Sequence, residues 1–303
     1  MPGENGKRGK MDYQKFIEEI VNLLQEKMSA DYEIKVTHVT KNNDVRLIGV
    51  IMMRESDKIL PTIYLEEPYR QYCEGTDIQE IADRIVALYR EQMKGIDFDV
   101  DLFKEFGRVK DRIFHKLINY EKNSKFLEDV PYFRWHDLAV VFYYAVEEKV
   151  MGRASILIHN NHMAMWEQTA DALYQVAQRN MKRSMPELML PMQELVEEMT
   201  GVRFGQMDGV RMYVLTNQAK LNGASAMLYS DKIKELADSL QSDLMILPSS
   251  VHEVLLLPDD REQQYDFYRK MVEEVNTTQV EPEEILSYNL YRYNREKAEI
   301  EEI

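Results

Sequence analysis

The sequence predicts an α+β fold in which strand-strand-helix units repeat along the chain, forming mainly antiparallel sheets with helices packed on one face. Three observations predict it. Apolar residues recur at helical spacing in several stretches, and short apolar runs alternate with turn-like polar clusters. Residues 212–257 then set these pieces in the order strand, strand, helix, strand, strand, as MYVLTN, NGASAMLY, a helix, and DLMILPSSVHEVLLL.

Phe16, Ile20, Leu23 and Leu24 place one apolar stripe on a first helix that ends near Met28. Strands are predicted at 32–40, 45–54 and 59–66, separated by Lys41-Asn42-Asn43-Asp44 and by Glu55-Ser56-Asp57-Lys58, both turn-like in composition. Thr76 with Gln79 reads as a capping box that opens a helix through Ile78, Ile81, Ile85 and Leu88 and stops before Gly95. Residues 113–120 are read as a strand, although so short an apolar run also fits a helix.

The run AVVFYYAV within 137–146 suits a strand buried on both faces, and 154–159 is expected to pair with it. Two helices follow, one carried by Leu173, Val176, Ala177 and Met181, the other over 188–199, opened by Pro186 or Pro191 and ended by Gly201. Ser230 is expected to cap a helix with the stripe Ile233, Leu236, Ala237 and Leu240. A last helix starts near Asp260 and buries Tyr268, Met271, Val272 and Val275, after which 287–293 (SYNLYRY) reads as a terminal strand. Strand pairs followed by helices thus span 32–94, 137–182, 212–240 and 244–276.

At 303 residues the chain is about twice the usual domain size. It is expected to divide into a flexible tail (1–10), an N-terminal α+β subdomain (11–110) and a C-terminal one (111–303). The 53 acidic residues outnumber the 38 basic ones, a net charge of -15 that repels nucleic acid and anionic lipid. Lys7, Arg8 and Lys10 form the one basic cluster without matching acids. A single cysteine, Cys73, rules out an internal disulfide and points to a reducing cytoplasm. No secretory signal and no bilayer-spanning apolar run is found.

Several patterns suggest chemistry and then stop short of it. His252-Glu253 lacks the second histidine of a zinc-protease motif, since position 256 is Leu, and Ser249 and Ser250 are expected to shape a turn with His252 on a sheet face. His159 and His162 have a spacing found among metal ligands; with Asn160 and Asn161 as a turn between them, they read more simply as a polar strand end. Asp97, Asp99 and Asp101 begin like a calcium loop, but Leu102 stands where glycine is needed and Arg108 where glutamate belongs. Cys73 has no histidine beside it in sequence and reads as a half-buried residue at a helix end. The glycines match no phosphate-binding loop, and no cofactor is implied.

Methionines are numerous, 19 in all, and seven fall at positions 163, 165, 181, 185, 189, 192 and 199. Methionine fills irregular cores and also makes adaptable binding surfaces, so Met163, Met165, Met185, Met189 and Met192 are candidates for an apolar groove.

The blocks MYVLTN, NGASAMLY and LPSSVHEVLLLP, with HDLAVVFYY and ADALYQVAQRNM, resemble a family of uncharacterised bacterial proteins, common in clostridial gut species and catalogued as a domain of unknown function. The likeness spans most of residues 11–293, and it implies a bacterial cytoplasmic origin without an activity, cofactor or catalytic residue. The element order α-β-β-β-α is also similar to the secretion-chaperone-like fold, which implies holding a partner polypeptide.

Two functions follow as expectations. The first is a non-enzymatic module that binds another polypeptide through the Met-rich groove or a sheet edge. The second is a hydrolase, metal-assisted if His159 and His162 ligate, whose site gathers His136, His159, His162, Ser249, Ser250 and His252 at strand ends.

Overall fold

A computed structural model describes residues 11–55, 57, 60–93, 100–146, 155–202, 211–259 and 265–303. The N-terminal tail with Lys7, Arg8 and Lys10, the acids Asp97 and Asp99, and the expected element starts at Ile59, Ala154 and Asp260 lie outside these residues. The fold is a mixed α+β one whose strand pairs are antiparallel. Contacts divide it into two compact units, one of residues up to 41 and 45–100, the other of 42–44 and 101–303.

Unit 1 begins with α1 (Tyr13–Lys27), started by Asp12, whose carboxylate accepts the Lys15 N–H at 2.9 Å. Strands β1 (Glu33–Thr40), β2 (Arg46–Met53) and β3 (Thr62–Tyr64) form a meander with β2 in the centre. Helices α2 (Glu66–Glu74) and α3 (Ile78–Gln92) follow. The core joins Phe16, Ile20 and Leu24 of α1 to Val50 and Met52 of β2 and to Ile81 and Ile85 of α3. Each such side chain removed from water contributes about 1.5–3 kcal/mol.

Two expectations are corrected here. The third strand is only Thr62–Tyr64, and the chain from Glu66 turns helical, with Gly75 closing α2 at φ 113. Asp77, not Thr76, caps α3, accepting the Gln79 N–H at 2.8 Å. Cys73 sits half-buried in the last turn of α2.

In unit 2 the short helices α4 (Val100–Phe103) and α5 (Phe106–Val109) lead into β4 (Ile113–Asn119). Strand β6 (Leu138–Ala145) is the centre of a four-stranded sheet, paired with β4, with β5 (Tyr132–Trp135) and with β7 (Ser155–Leu157). Leu138 and Val140 face the main core while Ala139 and Val141 face a second cluster, which explains the unbroken apolar run. Helices α6 (Asn160–Trp166) and α7 (Ala170–Ser184) come next. His159 is therefore the N-cap of α6, where the sequence suggests a strand end.

The last sheet has six strands in the order β13 (Glu299–Glu302), β12 (Tyr291–Asn294), β10 (Leu244–Ser250), β11 (Glu253–Pro258), β9 (Tyr213–Asn217) and β8 (Glu187–Pro191). Strand β10 is buried on both sides: Leu244 and Ile246 join the main core, while Met245 and Leu247 pack with Tyr268 and Val272 of α10 (Tyr265–Thr278). Helices α8 (Met192–Thr200) and α9 (Lys232–Leu240) complete the unit.

The expected helix over 188–199 is thus β8 followed by α8, because Leu188–Pro191 pair with β9 before Gly201 closes the helix at φ 68. NGASAMLY is not a strand. Gly223–Leu228 form a 3-10 turn, since small residues without period-two alternation pack their backbone tightly against β9 and the β10–β11 turn. SYNLYRY contributes only Tyr291–Tyr293 to β12, and β13 was not expected.

Candidate functional site

The polar parts of three sequence blocks meet at one end of the six-stranded sheet. Strand β9 ends on Thr216 and Asn217, the chain turns through Asn222, and the 3-10 segment from Gly223 passes the two-residue turn Val251-His252 between β10 and β11. Asn222 N–H donates to His252 Nδ1 at 3.0 Å, so the ring proton sits on Nε2, which donates to Glu284 Oε1 at 3.2 Å. Thr216 Oγ1 donates to the His252 carbonyl at 2.8 Å, and Ser225 Oγ to the Asn222 carbonyl at 2.7 Å. Gly223 has no alternative: a Cβ there would collide with Thr216 Oγ1 and with the His252 carbonyl.

This geometry fixes the His252 ring by both of its nitrogens. Ser250 Oγ accepts the His252 backbone N–H at 3.0 Å, a local turn bond, and both imidazole nitrogens are engaged elsewhere. A serine nucleophile needs a base within hydrogen-bond reach that has a free lone pair. His252 lies in the hairpin turn, not on a sheet face, and Ser249 and Ser250 are half-buried on the last residues of β10.

The remaining histidines have other neighbours. His159 Nδ1 lies 2.8 Å from Asp129 Oδ2, and His162 Nδ1 accepts the His159 N–H at 3.1 Å, while the His162 ring packs on Phe103 and Trp166. Burial, then the adjacent His159, holds the His162 pKa below the usual imidazole range. His136 packs on Trp135 and Tyr291, and its Nε2 lies 3.0 Å from the Ile300 carbonyl. Among the described residues no three His, Cys, Asp or Glu side chains could hold a metal ion.

The methionines do not share one surface. Met163 and Met185 are buried, the latter receiving the Tyr143 hydroxyl on its sulfur at 3.7 Å; Met189 is half-buried against the main core, Met192 half-buried, and Met165 exposed.

The concavity in unit 2 is built from other residues. A cleft of about 700 Å³ is lined by Trp135 and His136 at the β5–β6 turn, Tyr174 and Lys182 of α7, Met227–Tyr229 of the 3-10 turn, Ile233 and Lys234 of α9, Tyr293 of β12, and Glu299 and Ile300 of β13. Its size suits a ligand or an inserted side chain.

The walls are held from behind. His136 takes φ 55 in the two-residue turn His136-Asp137; Asp137 accepts the hydroxyls of Tyr291 and, at 2.7 Å, of Ser287; and Trp135 stacks on Tyr291 at 6.0 Å. Gln178 Nε2 donates to the Tyr174 hydroxyl at 2.6 Å, and Tyr229 donates to the Met185 carbonyl at 2.9 Å.

His115 lies beneath this floor, 5.9 Å from the rings of both Tyr174 and Tyr229, fully buried, with neither ring nitrogen hydrogen-bonded. Burial pushes its pKa down to about 3, so the ring is neutral. The mouth carries both signs, with Lys182 and Lys234 against Asp231 and Glu299.

Beside the cleft runs the outer edge of β13. The Ile303 N–H donates to the Leu290 carbonyl at 3.0 Å, and ladder alternation from that pair turns the amides and carbonyls of Ile300 and Glu302 away from β12. The Ile300 carbonyl that His136 meets is one of these.

Sequence reading missed Trp135, Tyr174, Tyr229 and Tyr293. Aromatic residues are the ordinary material of a core, and the one local signal was the Trp-His-Asp triplet ahead of an apolar strand.

Compared with known proteins, residues 13–295 match the model of a family described as one of unknown function. No curated protein and no solved structure matches the chain.

Proposed function

The chain belongs to DUF5688, a family of unknown function, and from that premise we propose that it is a non-enzymatic module that binds a polypeptide partner in the aromatic cleft of unit 2. One observation carries the reading: the cleft combines an apolar, aromatic floor with an adjoining strand edge whose outward Ile300 N–H and Glu302 backbone groups can meet another main chain, the Ile300 carbonyl being held by His136. A side chain of the partner fills the floor, where buried aromatic contacts supply most of the binding energy. The two-signed mouth orients it.

The acidic surface favours a partner segment with basic residues flanking its anchor. Nucleic acid and membrane are not the partners of this reading. No helix among the described residues is long and apolar enough to cross a membrane. We place the protein in the reducing cytoplasm of a bacterium, on the grounds that a single cysteine forms no internal disulfide and that the sequence resembles an uncharacterised bacterial family. No observation favours the hydrolase over this reading, because Ser250 Oγ and both His252 ring nitrogens are engaged with other groups.

The test selects random displayed peptides against the full chain in a Trp166→Phe background, which leaves Trp135 as the only indole. Enriched peptides are expected to shift Trp135 emission and to lose about tenfold or more in affinity on Ile300→Arg. Peptides that bind with no emission change and equal affinity for the variant would discard the cleft.

A further inference from the structure

Strand β1 of unit 1 is an open edge that matches itself. Among the described residues it pairs only with β2. Lys41 N–H donates to the Val45 carbonyl at 2.7 Å, which sets the phase of the ladder: Glu33, Lys35, Thr37 and Val39 spend their backbone groups on β2, and Ile34, Val36, His38 and Thr40 turn theirs outward. The Ile48 groups on β2 confirm that phase, since they face β3, taking the Leu65 N–H at 2.9 Å and giving an N–H to Glu66 at 2.7 Å. The outward groups of β1 have no partner among the described residues.

The side chains of Ile34, Val36 and His38 lie on the helix-covered face, opposite Met52, Val50 and Ile48. Between helix α1 and this edge lies a groove of about 480 Å³, lined by Ile17 and Val21 with the polar Gln14, Glu18 and Asn22 of the helix, and by Val36, His38 and Ile48 of the sheet. Val36 is 42% exposed there. An uncovered strand of eight residues without proline is a ready template for another strand.

We propose that β1 pairs antiparallel with β1 of a second copy of this chain, joining the two meanders into one continuous sheet across a two-fold axis at Thr37. Keeping the helix-covered faces on one side requires outward residues to meet outward residues. One register engages all of them: Ile34 with Thr40 of the second copy, and Val36 with its His38, each pairing occurring twice by symmetry.

That register follows from the backbone alone, and it sets Glu33, which pairs with Lys35 of its own strand at 3.0 Å, opposite Lys41 of the second copy, whose ammonium lies over the Tyr64 ring. Thr37 then faces Thr37, a favourable cross-strand pair, and Lys35 faces Val39. A shift that centres the axis on Lys35 sets Lys35 against itself and shortens the ladder; centring it on Val36 carries Thr40 opposite Tyr32, beyond the start of β1. Backbone satisfaction therefore selects the alignment, and the Glu33–Lys41 charges are complementary in it, as an isologous interface requires. Val36 and His38 of each copy would cover the other's groove.

Sedimentation equilibrium of the full chain tests this. Wild type is expected to dimerise reversibly. Val36→Pro removes only an outward N–H, so it is expected to keep its circular dichroism and melting curve and to dimerise about tenfold or more weakly. Glu33→Lys is expected to weaken the dimer and Glu33→Lys with Lys41→Glu to restore it. In a Cys73→Ser background, Thr37→Cys sits at a close, non-hydrogen-bonded position on the axis and is expected to cross-link two copies under diamide. A monomer at every concentration, a dimer indifferent to Val36→Pro, or Thr37→Cys that fails to cross-link while dimeric would overturn the proposal. None of these readouts involves the cleft of unit 2.

Discussion

The backbone N–H of Asn222 donates to Nδ1 of His252 at 3.0 Å, and this single bond decides what the imidazole can be. With Nδ1 occupied, the ring is a brace between the 3-10 turn and Glu284. His252→Ala is expected to cost about 1–3 kcal/mol in urea unfolding, because it strands the Asn222 donor. An unchanged midpoint would show that the brace does not hold the turn.

Gly223 fits where no side chain can. Gly223→Ala is expected to destabilise unit 2 by about 1–3 kcal/mol, the range for forced overpacking, with loss of near-ultraviolet signal from the tyrosines below. A melting temperature equal to wild type would refute the close packing.

His115 links stability to pH. Its folded pKa, about 3, lies below the ordinary value of 6.5 because burial penalises the charged ring. Above pH 6.5 both states hold it neutral; as pH falls from 6.5 toward 3 only the unfolded chain takes the proton, so stability declines by up to about 1.4 kcal/mol per pH unit from this group. His115→Phe is expected to abolish that share of the slope and to cost little at pH 7, since it removes two unsatisfied nitrogens. The measurement is urea unfolding of both proteins at pH 7 and pH 4; equal slopes would place the ring in contact with water.

Met185 and Met165 separate the two roles of methionine. Met185→Ala is expected to cost about 2–5 kcal/mol as a core cavity, and Met165→Ala to stay within about 0.5 kcal/mol. Similar small effects at both would return Met185 to a surface.

Legibility followed the kind of signal each segment carried. The stripes of α1 and α3, the double-sided burial of β6, and the turn between β1 and β2 could be read, because periodicity and apolar continuity report directly on which faces leave water. NGASAMLY was misread since its small residues are chosen for close backbone approach, which leaves no alternation. Strand β8 was hidden by Leu188–Pro191 running straight into a helix. Of the site, the three polar blocks stood out, but only the fold shows that they bind each other, and Trp135, Tyr174 and Tyr229 look like any core aromatics until three elements bring them to one hollow.

The turn His136-Asp137 has a further consequence for the indole that precedes it. Successive strand residues point to opposite sides, so one extra residue in this tight connection would swing Trp135 out of the hollow while every atom of its chemistry stayed the same. Insertions and deletions at this spot would change what the protein can hold more sharply than most replacements of the wall itself.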